Sequence, residues 1–335
     1  MNFVMSPAIW VICIVLAVFL EWVVGDPMIF LHPVFLMRPW IKELTHFLNE
    51  GKYRKAKGGL MCLILVSSTT LIVMALQFIS MKIHPLLFCV LNIWLISTAF
   101  TVRSIKQSGD AIEAAMITHD VKKASAELSL FIGKDTSGLS EEEMTQLTIK
   151  AMAKNTITGI AGPLFYLALG VVTSVFVPMI NPLVLAMIYK AVVTMDSILG
   201  FSQKPHEKFN DFPRQLNNIF NFFATRVGAY LMILATQIVG FNMKETFRIY
   251  ERDCNHYSSP NAGHPEAVVA GALGIQLGGK SSFSGRKEED PLIGDATRPI
   301  FHTDIYESKV IMYVTEGIMT SLIVLLTVML YIILT

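Results

Sequence analysis

Apolar residues in this chain gather into long runs separated by polar blocks. The runs 9–24, 60–79, 86–100, 160–180 and 311–334 are near or above the roughly 20 residues that a helix needs to cross a bilayer. The last of them holds Glu316 as its only charge. Runs 182–199 and 222–240 continue the pattern, but the first of these carries Lys190 and Asp196. Ionisable groups at membrane depth are costly and normally face a partner, a cavity or a functional site. The expectation is an all-α fold, a polytopic integral membrane helical bundle with cytoplasmic helical loops. It forms one membrane domain over 1–335, with a polar helical insertion at about 103–158 and a polar block at about 241–309.

In the first polar segment, Ile105, Ile112, Ala115, Met116 and Ala124 recur at roughly helical spacing and predict a helix over 104–130. A second helix opens at "SGLSEEE", where Ser140 and Glu143 form a capping-box pattern. The later block contains "SSPNAGHPEAVVAGALG", from Ser258 to Gly274. Ser259, Asn261 and Gly263 suit caps or turns, Pro265 suits a first helical position and Glu266 a first turn, so a helix begins near His264. Its unpaired N–H groups make an anion site, and Ala267, Ala270, Gly271, Gly274 and Gly278 leave a face for another helix or a flat ligand. A well-capped helix packed into the bundle fits the same residues.

Composition narrows the class. With 53% hydrophobic and 16% charged residues and a mean hydropathy of +0.53, the chain is not an ordinary soluble domain. A net charge of +1 argues against a nucleic-acid partner. Cys13, Cys62, Cys89 and Cys254 are scattered and read as small core residues rather than a disulfide framework or a zinc site. The first apolar run lacks a basic start and continues into Glu21, so it reads as a retained helix. Arg38, Lys42, Lys52, Arg54, Lys55 and Lys57 outnumber Asp26, Glu43 and Glu50 between the first two runs, which places that loop in the cytoplasm and the N-terminus outside. Segment 103–158 is then cytoplasmic. Block 241–309 lies outside if 160–180, 182–199 and 222–240 all cross, and inside if 182–199 does not.

Six ordered stretches carry a resemblance over nearly the whole chain. "EWVVGDPMIFLHPV" from Glu21, "GKDTSGLS" from Gly133, "AKNTITGIAGPLFY" from Ala153, "YKAVVTMDSILGF" from Tyr189, "NNIFNFFATR" from Asn217 and "SPNAGHPEAVVAGALGIQLGG" from Ser259 resemble the adenosylcobinamide-phosphate synthase family of cobalamin biosynthesis. The resemblance implies a multi-pass protein of the inner (cytoplasmic) membrane, with its active face in the cytoplasm. Its implied reaction joins adenosylcobyric acid to aminopropanol or its phosphate through an amide bond, with ATP as co-substrate and Mg2+ as cofactor. The implied partners are the lipid bilayer, a corrinoid as substrate or ligand, and an active paralogue or other cobalamin-biosynthesis enzymes. On the matching positions, Asp26, Asp135, Lys190 and Asp196 are the expected catalytic residues. Asn155, Arg226, Ser259, Asn261, Gly263 and Glu266 are the expected substrate- or phosphate-binding residues, and no metal ligands are assigned.

The chain departs from that pattern in one direction. Where the family usually has E-x-x-A-E-N, this chain has Lys150 and Lys154 in "KAMAKN"; Thr158 replaces an Asp before Gly159, and Asn217 and Asn218 replace an Asp pair. Val193 stands for an Asn and Ala224 for a Pro. If all five acidic positions are normally ionised, local charge changes by about seven units. This is hard to reconcile with an intact family-type magnesium site. Two readings follow: an active amide ligase, or a non-catalytic corrinoid-binding or partner subunit descended from one. Plain alternatives accompany individual residues. Gly25, Asp26 and Pro27 also describe a turn ending the first helix, His32 reads as structural or interfacial rather than as a base, and Cys254, His256 and His264 fit no common zinc spacing. A transporter is disfavoured, because no inverted repeat is visible.

Overall fold

The computed structural model describes residues 7–25, 32–200, 207–283 and 286–334, and side chains within those ranges except at 207 and 280–288. It is helical almost throughout. Seven helices or unbroken helical runs among the described residues are long and apolar enough to cross a membrane. The protein is an all-α, multi-pass membrane protein, as the apolar runs predict.

The chain sorts into two compact units. The first comprises Met1–Thr101, Gly162–Asn221 and Thr320–Thr335, and the second Val102–Ala161 and Phe222–Met319. The first opens with α1 (Pro7–Val24), followed by α2 (Pro33–Leu48), α3 (Arg54–Ile83) and α4 (Pro85–Ser97). The loop expected between the first two apolar runs is therefore largely a helix. Its start is built by His32, whose Nδ1 accepts the Val34 N–H at 3.2 Å, with Pro33 pre-set at the first helical position. His84 does the same for α4, accepting from Leu86 N–H at 3.1 Å beside Pro85. His32 thus has the structural role read from its sequence.

Helices α8 (Gly162–Phe176) and α9 (Pro182–Gly200) pack on each other, and α9 also packs on α2 and α3. Helices α2, α3 and α9 share a core that includes Met37, Ile41, Met61, Leu65, Ala191 and Met195. A buried amide cluster ties three elements together: Gln77 Nε2 donates to Asn92 Oδ1 at 2.7 Å, and Asn181 Nδ2 donates to Gln77 Oε1 at 2.9 Å. Paired amides of this kind satisfy polar groups that lipid could not.

The second unit begins with α5 (Val102–Ile117) and α6 (Val121–Ile132). The single helix expected over 104–130 is broken at His119, which sits in the left-handed region at φ 53°. Ile105, Ile112, Ala115, Met116 and Ala124 are nevertheless all buried, so the periodicity located the right face. Helix α7 (Glu141–Thr156) starts at the expected box, with Glu143 N–H donating to Ser140 Oγ and Ser140 N–H to Glu143 Oε2. It runs through a π-turn at Ile157–Ala161 into α8 without a loop.

Helix α10 (Glu207–Val239) is followed by α11 (Met243–Asp253) and α12 (Gly263–Leu273). The polar block then departs from the all-helical expectation: β1 (Leu277–Phe283) and β2 (Arg286–Ile293) form an antiparallel hairpin. Gly278, expected on the small-residue helix face, lies instead at a register shift in β1 with φ 98°. A Cβ there would fall 2.0 Å from the Pro291 carbonyl oxygen. The chain closes with α13 (Thr303–Leu334), whose Lys309 pairs with Asp110 and lies 3.8 Å from Glu113 on α5. Cys13, Cys62 and Cys254 are buried free thiols and Cys89 is half-buried, which fits their reading as small core residues.

Candidate functional site

Charged groups of the second unit converge on the start of α12. Its first residue, Gly263, is required by contact: a Cβ would lie 2.5 Å from the Cys254 carbonyl oxygen. The preceding Ala262 caps the helix without a side-chain hydrogen bond, so neither Ser259 nor Asn261 serves as the cap that the sequence suggests. Asn261 instead faces α10. Arg226 Nη1 donates to Asn261 Oδ1 at 3.4 Å and Nη2 to the Pro260 carbonyl at 3.4 Å, while the guanidinium lies 3.5 Å from the Phe222 ring centroid. Nη1 also donates to the Phe222 carbonyl at 2.8 Å, so the two bonds to the turn are long and all three acceptors are neutral. A cation held this way keeps most of its charge for an anionic ligand.

Glu266 lies one turn into α12 and is buried. Tyr257 Oη donates to its Oε2 at 2.7 Å, and the Lys150 ammonium stands 3.8 Å from the same oxygen. Lys150, from α7, also pairs with Asp290 of β2. Burial pushes the Glu266 carboxyl above the usual carboxylate range, against the pull of Lys150 and the Tyr257 hydroxyl. Burial likewise raises the Tyr257 phenol, reinforced by the carboxylate beside it.

His264 completes the cluster. Tyr250 Oη lies 2.9 Å from its Nδ1, and its Nε2 is buried without a hydrogen-bond partner. Burial, and then the Arg226 charge, depress the ring to about 4; the Pro260 carbonyl opposes them weakly. His264 is therefore neutral at physiological pH.

The remaining expected residues are distributed differently. Asn155 is half-buried on α7, five positions past Lys150, and Ser259 is half-buried in the turn before α12. Asp135 is exposed between α6 and α7, where Oδ1 accepts the Ser137 N–H at 3.0 Å and shapes a turn. In the first unit, Lys190 is buried and donates to the Ala99 carbonyl just past α4 at 3.1 Å. Asp196 Oδ2 accepts from Asn217 Nδ2 at 2.7 Å; Asn217 Oδ1 accepts from Asn221 at 2.7 Å, and Asn221 Oδ1 from Tyr189 Oη at 2.8 Å. Asp26 lies outside the described residues. Tyr257, Asp290 and Tyr250 were not singled out from sequence. Asp290 is 140 positions from Lys150, and no local pattern signals such a pair.

The described residues do not suit a family-type magnesium ion at Glu266. Lys150 already contacts both nearby carboxylates, and among the described residues no three His, Cys, Asp or Glu side chains gather as a metal-ligand group.

A multi-pass helical membrane protein with a partly buried helix-start cluster of two cations and two carboxylates is the class that this geometry defines. Residues 14–312 match the family described as CobD/Cbib protein, and the chain belongs to that family. The cobalamin biosynthesis protein CobD of Clostridium perfringens is 32% identical over 315 residues, covering 93% of this chain and 96% of the relative. Its namesake in Clostridium tetani is 34% identical, covering 91% and 94%. The cobalamin biosynthesis protein CbiB of Salmonella typhimurium is 30% identical, covering 91% and 93%. No solved structure matches the chain.

Proposed function

We propose that this protein acts in cobalamin biosynthesis at the inner membrane, joining adenosylcobyric acid to aminopropanol or its phosphate at the expense of ATP. The carrying observation is the Arg226 guanidinium placed at the "SPNAG" turn with only neutral acceptors around it, in a chain whose relatives bear that pathway's name. Amide formation needs an activated carboxylate. Its oxygen attacks the γ-phosphorus of ATP to give an acyl phosphate and ADP; the free amine then attacks the acyl carbon, phosphate leaves, and the amine's proton passes to a base. Arg226 has the charge to hold a phosphoryl group through these steps. Magnesium would arrive with the nucleotide rather than be held at Glu266.

A second reading, a corrinoid-binding or partner subunit without catalysis, is favoured by the Lys150 pairing, which neutralises the acidic end of the cluster. The deciding experiment is ATP- and magnesium-dependent amide formation from adenosylcobyric acid and aminopropanol phosphate by the protein in detergent. Product that falls at least about tenfold in Arg226→Ala supports the ligase, a loss on the scale of one charge-assisted contact. Absence of product with retained corrinoid binding supports the second reading.

A further inference from the structure

In the first unit, α2, α3, α4 and α9 enclose a half-open cavity of 470 Å³. Met37 and Leu65 are buried at its floor, whereas Leu36, Trp40, Ile72 and Leu76 are exposed along its wall. The Ser68 hydroxyl in that wall donates to the Leu65 carbonyl at 3.0 Å. That hydroxyl is therefore spent on its own helix, and the surface offered is apolar.

Length and charge point to one occupant. α3 lines the cavity from Leu65 to Leu76, about 16 Å at 1.5 Å per residue. One leaflet contributes half of a hydrocarbon core about 30 Å thick. An acyl chain therefore matches the cavity end to end. Before it on the same helix and its lead-in stand Lys52, Arg54, Lys55 and Lys57, and Lys52 and Lys55 are exposed. Four basic residues beside a span are the pattern that meets anionic headgroups. Lys55 precedes Leu65 by about 15 Å along the helix. A headgroup layer of roughly 5–8 Å and the reach of a lysine stem cover that interval. Trp40, exposed among the lining residues, is an aromatic of the kind enriched where hydrocarbon meets headgroups.

We propose that this cavity binds one acyl chain of an anionic phospholipid whose headgroup is held by Lys52 and Lys55. The lipid comes from the leaflet next to the α2–α3 connection and stays with the protein in mild detergent. Bound there, it would brace α2 against α3 and α9.

Native mass spectrometry of protein extracted from membranes containing phosphatidylglycerol and phosphatidylethanolamine tests this directly. One phosphatidylglycerol per chain is expected. Ser68→Phe, which fills the cavity, should abolish its retention. Lys52→Gln with Lys55→Gln leaves the cavity intact and should cut the preference for phosphatidylglycerol about thirtyfold, at about one kcal/mol for each charge. Equal retention of both lipids, no bound lipid, or unchanged retention in both variants would overturn the proposal. So would a second copy of the chain in place of lipid, seen as a dimer that Ser68→Phe dissociates. The lysine variant decides the matter if Ser68→Phe fails to fold.

Discussion

At the residue scale, the start of α12 separates what a sequence can declare from what only packing creates. Glu266 and Asn261 were legible because they stand in a recognisable stretch, but the partners that set their chemistry arrive from α7, α10 and β2. Glycine at 263 was readable as a turn residue; its physical reason is the approach of the Cys254 carbonyl. His264 yields a pH prediction. An unfolded histidine titrates near 6.5 and this buried ring near 4. Between those values the unfolded chain binds a proton that the fold refuses. Its contribution to stability is therefore complete above about 6.5 and is lost as pH falls through about 4. His264→Gln should flatten the thermal-stability profile across that window, and an unchanged slope would refute the assignment. Lys150 gives a second test. Lys150→Glu with Lys154→Glu places new carboxylates near Glu266 and Asp290, so calorimetry should detect tighter magnesium binding than in the parent. If binding is no tighter, the lysines are not what keeps a metal away.

Among the elements, the long apolar runs were legible because a membrane span must satisfy its backbone internally and so advertises itself by length. Helix α2 was not, since its polar positions and Pro39 resemble a connecting loop, and only contact with α3 and α9 reveals its buried side. The hairpin was hidden for a related reason: Gly278, Gly279 and Pro291 weaken any strand pattern, and pairing across a register shift supplies the order. Of the expected small-residue face, Ala267, Ala270 and Gly271 lie on α12, Gly274 caps it and Gly278 belongs to β1; the sequence leaves open whether a ligand or a helix covers the face. Helix α11 covers it. A Cβ on Gly271 would lie 2.9 Å from Thr246 Cα and 3.0 Å from Ile249 Cβ. Gly271→Val should therefore cost about 1–3 kcal/mol by overpacking, read as a lower unfolding midpoint in detergent. A midpoint within error of the parent would mean that α11 can shift aside.

For the whole molecule, sequence reading reached the membrane class and the family, while orientation depends on which spans cross. Ser258 is exposed in the turn before α12. If that block is cytoplasmic, Ser258→Cys in intact cells should react with an impermeant thiol reagent only after the membrane is opened. Labelling of unopened cells would place it outside. The two units are also interleaved along the chain: the first takes its earliest part from Met1–Thr101 and its last from Thr320–Thr335, whereas the second ends at Met319. Synthesis runs in one direction, so the unit begun first is finished last. A nascent chain halted after Met319 would hold every residue of the second unit while the first still lacked residues 320–335.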